Sequence, residues 1–301
     1  MKRLHYDGKA ENWAEVYQSP DTFGQKIQRR RDAVVAAVQG QLGDRKASIL
    51  DAGCGTGAVS RQLRSIGHRV TGVDVSQEML VTARRQTSEC GLSVEFTRGS
   101  LMALPFGSAS FDAAVCVGVL GHYPLRRGSG NFEEDDVLGL REVVRVLRPG
   151  GFIVLTLPNL YRLHWLLDPV QLRRAFQHRR LLLALEAGSA DGQGRPPAST
   201  FGQEPATRHQ TPSEMLRLVR GEGLEILGLD GVGFGPFTIL GRPLFSDERS
   251  VRISAKLERI AQGSVFSPLN RLAGTWVLTL RPERAASTHP PHPAGAQTSA
   301  R

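Results

Sequence analysis

Cysteine is scarce in this chain, long apolar runs are missing, and acidic residues are outnumbered. Among 301 residues there are three cysteines, Cys54, Cys90 and Cys116, at no spacing that a metal site would use. Two of them fall in apolar strand regions, so all three read as reduced residues of a cytoplasmic protein rather than a disulfide framework. The longest apolar passage, Gly151 to Leu167, is broken by Pro158, Asn159, Arg162 and His164 and does not read as a membrane span. The first residues, Met1-Lys2-Arg3-Leu4-His5, are polar and lead into no apolar stretch of secretory type, so no signal peptide is expected. With 38 basic and 29 acidic residues the formal charge is +9, spread over several segments. That balance reads as a soluble basic protein, with a polyanionic partner such as nucleic acid or anionic lipid as the alternative.

What the chain does have is glycine in one informative place. Ile49-Leu50-Asp51-Ala52-Gly53-Cys54-Gly55-Thr56-Gly57 reads as a short buried strand entering a turn with glycines at alternating positions, followed by a helix. Glycine is needed where φ is positive or where a ligand lies against bare main chain. The helix starting near Gly57 directs its unpaired N–H groups toward whatever occupies the turn. Asp74 closes the next apolar segment, His68 to Asp74, 23 residues beyond Asp51. An acid roughly 20 positions beyond a glycine-rich strand–helix turn is placed to accept two ribose hydroxyls. The expectation is a nucleoside-like cofactor.

The spacing argues against a dinucleotide. Nicotinamide enzymes use G-x-G-x-x-G to admit a pyrophosphate. Here the run is D-x-G-x-G-x-G, and Asp51 inside the strand end would repel a pyrophosphate while suiting an ammonium and a sulfonium. This pattern resembles that of the class I S-adenosylmethionine-dependent methyltransferases. The resemblance extends to Gly99-Ser100-Leu101-Met102-Ala103-Leu104-Pro105-Phe106 as the third-strand segment and Phe111-Asp112-Ala113-Ala114-Val115-Cys116 as the fourth strand. It ends with Leu147-Arg148-Pro149-Gly150-Gly151 as the turn into the fifth strand, and covers roughly residues 45–160.

The resemblance implies a fold and a set of roles. The fold is a Rossmann-like α/β architecture: a mostly parallel seven-stranded sheet with helices on both faces, closed by a C-terminal antiparallel hairpin. Asp51 would act on the cofactor's ammonium, and Ala52, Gly53, Gly55 and Gly57 would lie against its methionine and ribose parts. Asp74 would accept both ribose hydroxyls, each bond contributing about 1.5–3 kcal/mol. Val75 and Met79 would flank the adenine. Ser100 stands where the family often has an acid facing the adenine amino group; its hydroxyl or the backbone of Leu101 would accept that bond. Val117 and Gly118 would face the transferring methyl, and Arg31, ending the run Arg29-Arg30-Arg31, is a candidate partner of the cofactor carboxylate. The alternative for that run is a solvated helix face.

Gly118-Val119-Leu120-Gly121-His122-Tyr123-Pro124 resembles the E-x-x-E-H segment of quinone-type O-methyltransferases, with both glutamates replaced by glycine. Without those carboxylates magnesium has no ligands here, so no metal is expected. His122 is the candidate catalytic base for a hydroxyl or amine acceptor; a hydrogen bond to a loop carbonyl is the alternative.

Along the chain, residues 1–45 read as a helical cap with Trp13, Val16, Tyr17, Phe23 and Ile27 as anchors, including a helix from about 26 to 39. Residues 46–159 form the cofactor-binding core, with strands near 47–52, 69–74, 93–98, 111–117 and 151–157 and helices near 57–66, 76–89 and 132–147. Residues 160–211 form a helical and loop insertion, with a Gly/Pro/Ser/Ala-rich loop at 187–205. In it, Tyr161 to Leu167 with Arg173, Arg174, Arg179 and Arg180 would serve as a lid over the acceptor. The alternatives are peripheral membrane contact through 160–186, since basic residues interleaved with leucine suit anionic lipid, or plain packing. Residues 212–281 complete the sheet: Thr211, Pro212 and Glu214 form a capping box, followed by strands at 224–230 and 274–280. Residues 282–301 read as a disordered tail.

The expected activity is methyl transfer to a small-molecule, lipid-linked or glycan-like acceptor, at oxygen. RNA or protein methylation is a rival, weakened by the absence of an N-P-P-[YF]-type motif at Val117-Gly118-Val119-Leu120 and of any recognised RNA-binding module. A cofactor-binding regulator without catalysis is the other.

Overall fold

The computed structural model describes residues 10–120, 132–163, 168–170, 172–173, 176–177, 210–235, 237–240, 242–261 and 268–283. Its centre is a seven-stranded sheet. The strands are β1 (Ser48–Ala52), β2 (Arg69–Asp74), β3 (Glu95–Arg98), β4 (Phe111–Cys116), β5 (Leu147–Pro158), β6 (Leu224–Val232) and, after a small separate hairpin of β7 (Thr238–Ile239) and β8 (Arg242–Pro243), β9 (Thr275–Pro282). Their order is β3-β2-β1-β4-β5-β9-β6. The first five neighbours pair in parallel, while β9 runs antiparallel to both β5 and β6. The chain moves outward from β1 to β3 and then returns to β4 on the other side of β1. That reversal opens a crevice at the carboxyl ends of β1 and β4, where open α/β sheets take their ligands.

The strands are apolar on both faces, as a parallel sheet covered on both sides requires. Ile49, Val115, Val154 and Val277 project to one face. There they meet Val34, Val35 and Val38 of α2 (Thr22–Leu42) and Val59 and Leu63 of α3 (Ala58–Ser65). Leu50, Ala114, Ile153 and Leu278 project to the other. They meet Leu140 and Val143 of α5 (Phe132–Val146) and Met215 and Val219 of α6 (Pro212–Gly221). The period-2 alternation of a strand thus feeds two cores. At the β2–β3 edge, Leu80 and Ala83 of α4 (Gln77–Glu89) close over Phe96 and Cys54. Short α1 (Ala10–Val16) precedes α2.

Helix starts follow local chemistry. The Asp21 carboxylate accepts the Gly24 N–H (2.6 Å) to begin α2, earlier than the expected start near 26. At α6 the full capping box forms, the Thr211 hydroxyl accepting the Glu214 N–H while the Glu214 carboxylate accepts the Thr211 N–H. Of the proposed anchors in the N-terminal segment, Ile27 is buried, but Phe23 is 50% exposed and lies against Trp13 with ring centroids 6.4 Å apart.

Three features depart from the sequence reading. β3 begins at Glu95 rather than 93. β5 begins at Leu147, which pairs with Phe111, but Arg148, Pro149 and Gly150 bulge outward and exposed before pairing resumes at Phe152. The closing strands β6 and β9 are adjacent in space yet separated along the chain by the β7–β8 hairpin, α7 (Asp247–Ala261) and a 3₁₀ helix (Pro268–Leu272). Asn270 in that 3₁₀ turn accepts the Gly231 N–H and donates to the Leu229 and Ala261 carbonyls, binding the insertion to β6. No helix among the described residues is long and apolar enough to cross a membrane.

Candidate functional site: the carboxyl-end crevice

The turn after β1 contains three glycines that are required for two different reasons. All have positive φ: Gly53 at 78°, Gly55 at 52° and Gly57 at 74°. A Cβ on Gly53 would lie 2.2 Å from a Val119 methyl, and one on Gly57 would lie 3.0 Å from the Phe96 ring. Close packing therefore forbids side chains at those two. At Gly55 a Cβ would meet nothing within 4 Å. Its bare backbone faces open space above the turn, and only the left-handed conformation calls for glycine there. Gly57 then caps α3, and the Gly53 and Cys54 N–H groups both donate to the Val73 carbonyl (2.7 and 3.0 Å), binding the turn to β2.

Asp74, at the end of β2, is held from both sides. One carboxylate oxygen accepts the Gly55 N–H (2.9 Å) and the other accepts the Ser76 N–H (2.9 Å). Ser76 in turn caps α4 by accepting the Met79 N–H. Two main-chain donors fix the direction of the carboxylate without covering it completely, since Asp74 keeps partial exposure. Asp51, by contrast, is buried at 1% exposure, and its Oδ2 accepts the Ser60 hydroxyl (2.6 Å). Burial pushes its carboxyl up to about 6; the Ser60 bond opposes this and the negative Asp74 adds to it. A buried acid held near the neutral form gains most from a cation beside it.

The opposite wall is basic. Gly118, at the end of β4 with φ of 68°, donates its N–H to the Thr156 hydroxyl (2.9 Å). The Arg30 guanidinium lies over it, 3.2 Å from where a Cβ would stand. The Arg30 Nε and the Thr56 hydroxyl of the glycine turn are both buried, and among the described residues neither has a hydrogen-bond partner. Buried donors without partners mark places where a ligand supplies the missing acceptor. The crevice is thus acidic over β1 and β2 and basic over β4, with bare main chain between. That polarity fits a ligand carrying ribose, a sulfonium, an ammonium and a carboxylate.

The remaining sequence candidates fall as follows. Ala52 is buried in β1; Val75 is 38% exposed beside Asp74. Met79 and Leu101 are buried, and Ser100 and Val117 are half-buried. The Ser100 hydroxyl accepts the Met102 N–H (3.3 Å), which folds the segment after β3 on itself. Arg31 pairs with its neighbour Asp32 (2.8 Å), while it is the Arg30 guanidinium that lies against Gly118. Arg30 stands there instead, because one residue of helix turns the side chain by about 100°. His122 lies outside the described residues, as do 164–167 and Arg174, Arg179 and Arg180 of the expected lid, the loop 187–205 and the tail beyond 283. Arg30 and Thr56 were not singled out from the sequence; the D-x-G-x-G-T-G spelling placed Thr56 within the turn but gave no sign of its buried hydroxyl.

The fold and crevice define an α/β protein that binds a nucleoside-bearing cofactor at a strand-order reversal. Comparison with known proteins makes the class specific. Residues 50–155 match the family described as "Methyltransferase domain". The ubiquinone biosynthesis O-methyltransferase of Methylococcus capsulatus is 28% identical over 198 residues, covering 65% of this chain and 70% of that one. The malonyl-[acyl-carrier protein] O-methyltransferase of Erwinia pyrifoliae is 39% identical over 110 residues, covering 35% of each chain. The aligned stretches therefore reach from about a third to 70% of these relatives' lengths. Among solved structures, the magnesium protoporphyrin IX methyltransferase of Synechocystis PCC 6803 with bound SAH superposes with a TM-score of 0.56. It covers 93% of this chain and 97% of that one at 15% identity, a likeness of fold. Residues 50–155 thus form a methyltransferase domain, and the chain is similar to the S-adenosylmethionine-dependent methyltransferases, whose cofactor is S-adenosylmethionine.

Proposed function

We propose that this protein transfers the methyl group of S-adenosylmethionine to an oxygen of a small-molecule, lipid-linked or glycan-like acceptor. The observation that carries the reading is Asp74, aimed into the crevice by the Gly55 and Ser76 N–H groups at the end of β2. Support for oxygen as the acceptor atom comes from relatives named as O-methyltransferases of ubiquinone biosynthesis and of malonyl-[acyl-carrier protein].

When bound, the cofactor supplies an electrophilic methyl on a sulfonium, so that an acceptor oxygen displaces neutral S-adenosylhomocysteine in line and loses its proton. The protein's part is positioning, charge and water exclusion. Asp74 accepts the ribose hydroxyls, and Asp51 stabilises the positive end of the amino acid part. Arg30 and the Thr56 hydroxyl answer its carboxylate, and Gly55 gives the ligand room. Ser100 or the Leu101 backbone meets the adenine between Val75 and Met79. Val117 and Gly118, just past the end of β4, would face the methyl group. His122, four residues further on, is the proposed acceptor of the proton.

A label-transfer assay tests the reading. Incubation of the purified protein with methyl-labelled cofactor and lysate fractions should move label into an organic-extractable product. Label confined to precipitable polymer would instead indicate RNA or protein as the acceptor, and no transfer with intact cofactor binding would indicate a regulator.

A further inference from the structure

Past β6 the chain exposes apolar side chains where a polar turn would be easiest to build. β7 and β8 pair Ile239 with Arg242 and Thr238 with Pro243, so residues 240 and 241 form a two-residue connection. Such turns want a positive φ at their first position and favour Asn, Asp or Gly there. This chain has Leu240, at a φ of 50° and 67% exposed. A leucine in that place is strained and shows apolar surface to water, two costs that asparagine would avoid. Ile239, Leu244 and Phe245 beside it are exposed as well. The hairpin has a buried root: the Leu244 N–H donates to the Phe237 carbonyl (2.9 Å), and buried Phe237 meets the Phe245 ring edge-on at 6.1 Å. Pro243 contributes no N–H, which makes β8 a poor template for a strand from another chain.

α7 starts two residues after Phe245, and its faces are sorted by charge. Ser250, Ser254, Glu258 and Ala261 are buried. Arg249, Arg252, Lys256 and Arg259 are exposed, and their helical spacing sets them in one outward stripe about 15 Å long. Exposed Ile260 ends that stripe. The acids nearby do not balance it. Glu248 pairs with Arg252, and Asp247 turns toward α2, where it accepts the Thr22 hydroxyl (2.6 Å). Buried Glu258 accepts the Gly233 N–H (2.9 Å) and lies 3.6 Å from Arg29. Arg242 adds a further exposed cation at the hairpin.

The hairpin leaves the sheet on the side where the crevice opens. β5 and β6 both run antiparallel to β9, so they are parallel to each other and their carboxyl ends lie together. Just past β6, Phe234 and Phe237 pack with Leu163, which follows β5.

We propose that the hairpin tip and the α7 stripe form a docking surface for an anionic lipid bilayer. Leu240 and its apolar neighbours enter the headgroup boundary, and the stripe meets lipid phosphates. Apolar side chains bordered by Lys and Arg are what an interfacial contact needs. Each cation held at an anionic surface changes partitioning roughly fivefold. Nucleic acid would answer the stripe but leave Ile239 and Leu240 without a role. Docking brings the crevice's side of the sheet to the bilayer, so that the methyl acceptor is an amphiphile drawn from the membrane. That consequence rests on the methyltransferase reading; the docking itself does not.

The experiment is co-sedimentation of the full-length protein with vesicles of phosphatidylcholine alone and of equal parts phosphatidylcholine and phosphatidylglycerol. Wild type should sediment with the anionic vesicles and not the neutral ones, and should be released as salt rises from about 0.1 to about 0.5 M. Leu240→Asn should weaken partitioning about fivefold or more. Arg249→Gln combined with Lys256→Gln should weaken it about tenfold or more. All these variants should keep S-adenosylhomocysteine affinity within about twofold of wild type. Leu240→Asn should also unfold at the wild-type temperature or above, because asparagine accepts the left-handed backbone. A lower unfolding temperature would show Leu240 packing within the protein and overturn the docking surface. So would a wild type that ignores both vesicles or binds both alike, or variants that sediment as wild type does, which would move the contact to another segment such as 160–186. A dimer that Leu240→Asn breaks, without vesicle binding, would make the patch an interface between copies of the chain instead. Wild type that docks on anionic vesicles but fails to bind S-adenosylhomocysteine upholds the docking and overturns the methyltransferase reading.

Discussion

The Gly55 N–H donates to Asp74 Oδ2 at 2.9 Å, so the middle of the glycine turn and the acid at the end of β2 form one unit. The carboxylate is aimed by the same backbone that a ligand would lie upon. Disturbing either residue is therefore expected to be felt at the other.

The glycines of that turn should separate packing from ligand space. Gly53→Ala places a methyl 2.2 Å from Val119 at a φ of 78° and should cost about 3 kcal/mol or more of stability. Gly55→Ala meets nothing within 4 Å and should cost only about 1–2 kcal/mol for its left-handed backbone. Yet Gly55→Ala should weaken the cofactor severalfold, because its methyl enters the crevice. Urea melts with cofactor titrations check this; equal loss of stability in the two variants would contradict it.

Asp51 gives a pH signature. Its carboxyl is raised from the usual 3.8 to about 6 by burial. Between those values the folded state binds more protons than the unfolded one, so stability falls as pH rises from about 4 to about 6. Above about 6 the full penalty is present, about 3 kcal/mol for a shift near two units. Asp51→Asn keeps an acceptor for the Ser60 hydroxyl and removes the charge. The cofactor-free variant should be more stable than wild type at pH 7.5, with the difference vanishing near pH 4, while binding the cofactor more weakly at both. Denaturant unfolding at the two pH values measures it; a variant less stable than wild type at pH 7.5 would refute the assignment.

Arg30 and Arg31 offer a neighbour control. Arg30→Met removes a guanidinium that lies against Gly118 and should weaken S-adenosylmethionine about tenfold. Arg31→Met removes a surface partner of Asp32 and should leave affinity within twofold. Equilibrium binding of both variants tests the assignment, and equal losses would undo it.

The contrast between these two arginines also shows where sequence reading stops. The strand ending at Ala52, the glycine turn and the second strand ending at Asp74 were legible because a parallel βαβ unit sets strand, turn, helix and strand in fixed order. The capping box at Thr211 was legible because its chemistry is local. A run of three arginines on a helix says nothing about which one faces inward; here Arg29 meets Glu258, Arg30 meets Gly118, and Arg31 meets Asp32. The helix α7 gave no signal for a different reason. Its fully buried positions are mostly polar, Ser250, Ser254 and Glu258, while its apolar Ile253 and Leu257, at helical spacing, stay only partly buried against Phe234 and Phe237. Its polar groups are satisfied instead by long-range partners, the Gly233 and Phe234 N–H groups among them. Arg162 acts electrostatically on Lys26 from more than 130 positions away, a relationship that spacing along the chain does not reveal.

The most direct test of the central claim is titration of S-adenosylhomocysteine into wild type and Asp74→Ala, with circular dichroism confirming that both are folded. Stoichiometric binding to wild type, weakened tenfold or more by the substitution, is the result expected of a ribose-holding carboxylate. A folded wild-type protein that ignores the ligand, or a variant that binds it equally well, would contradict the account.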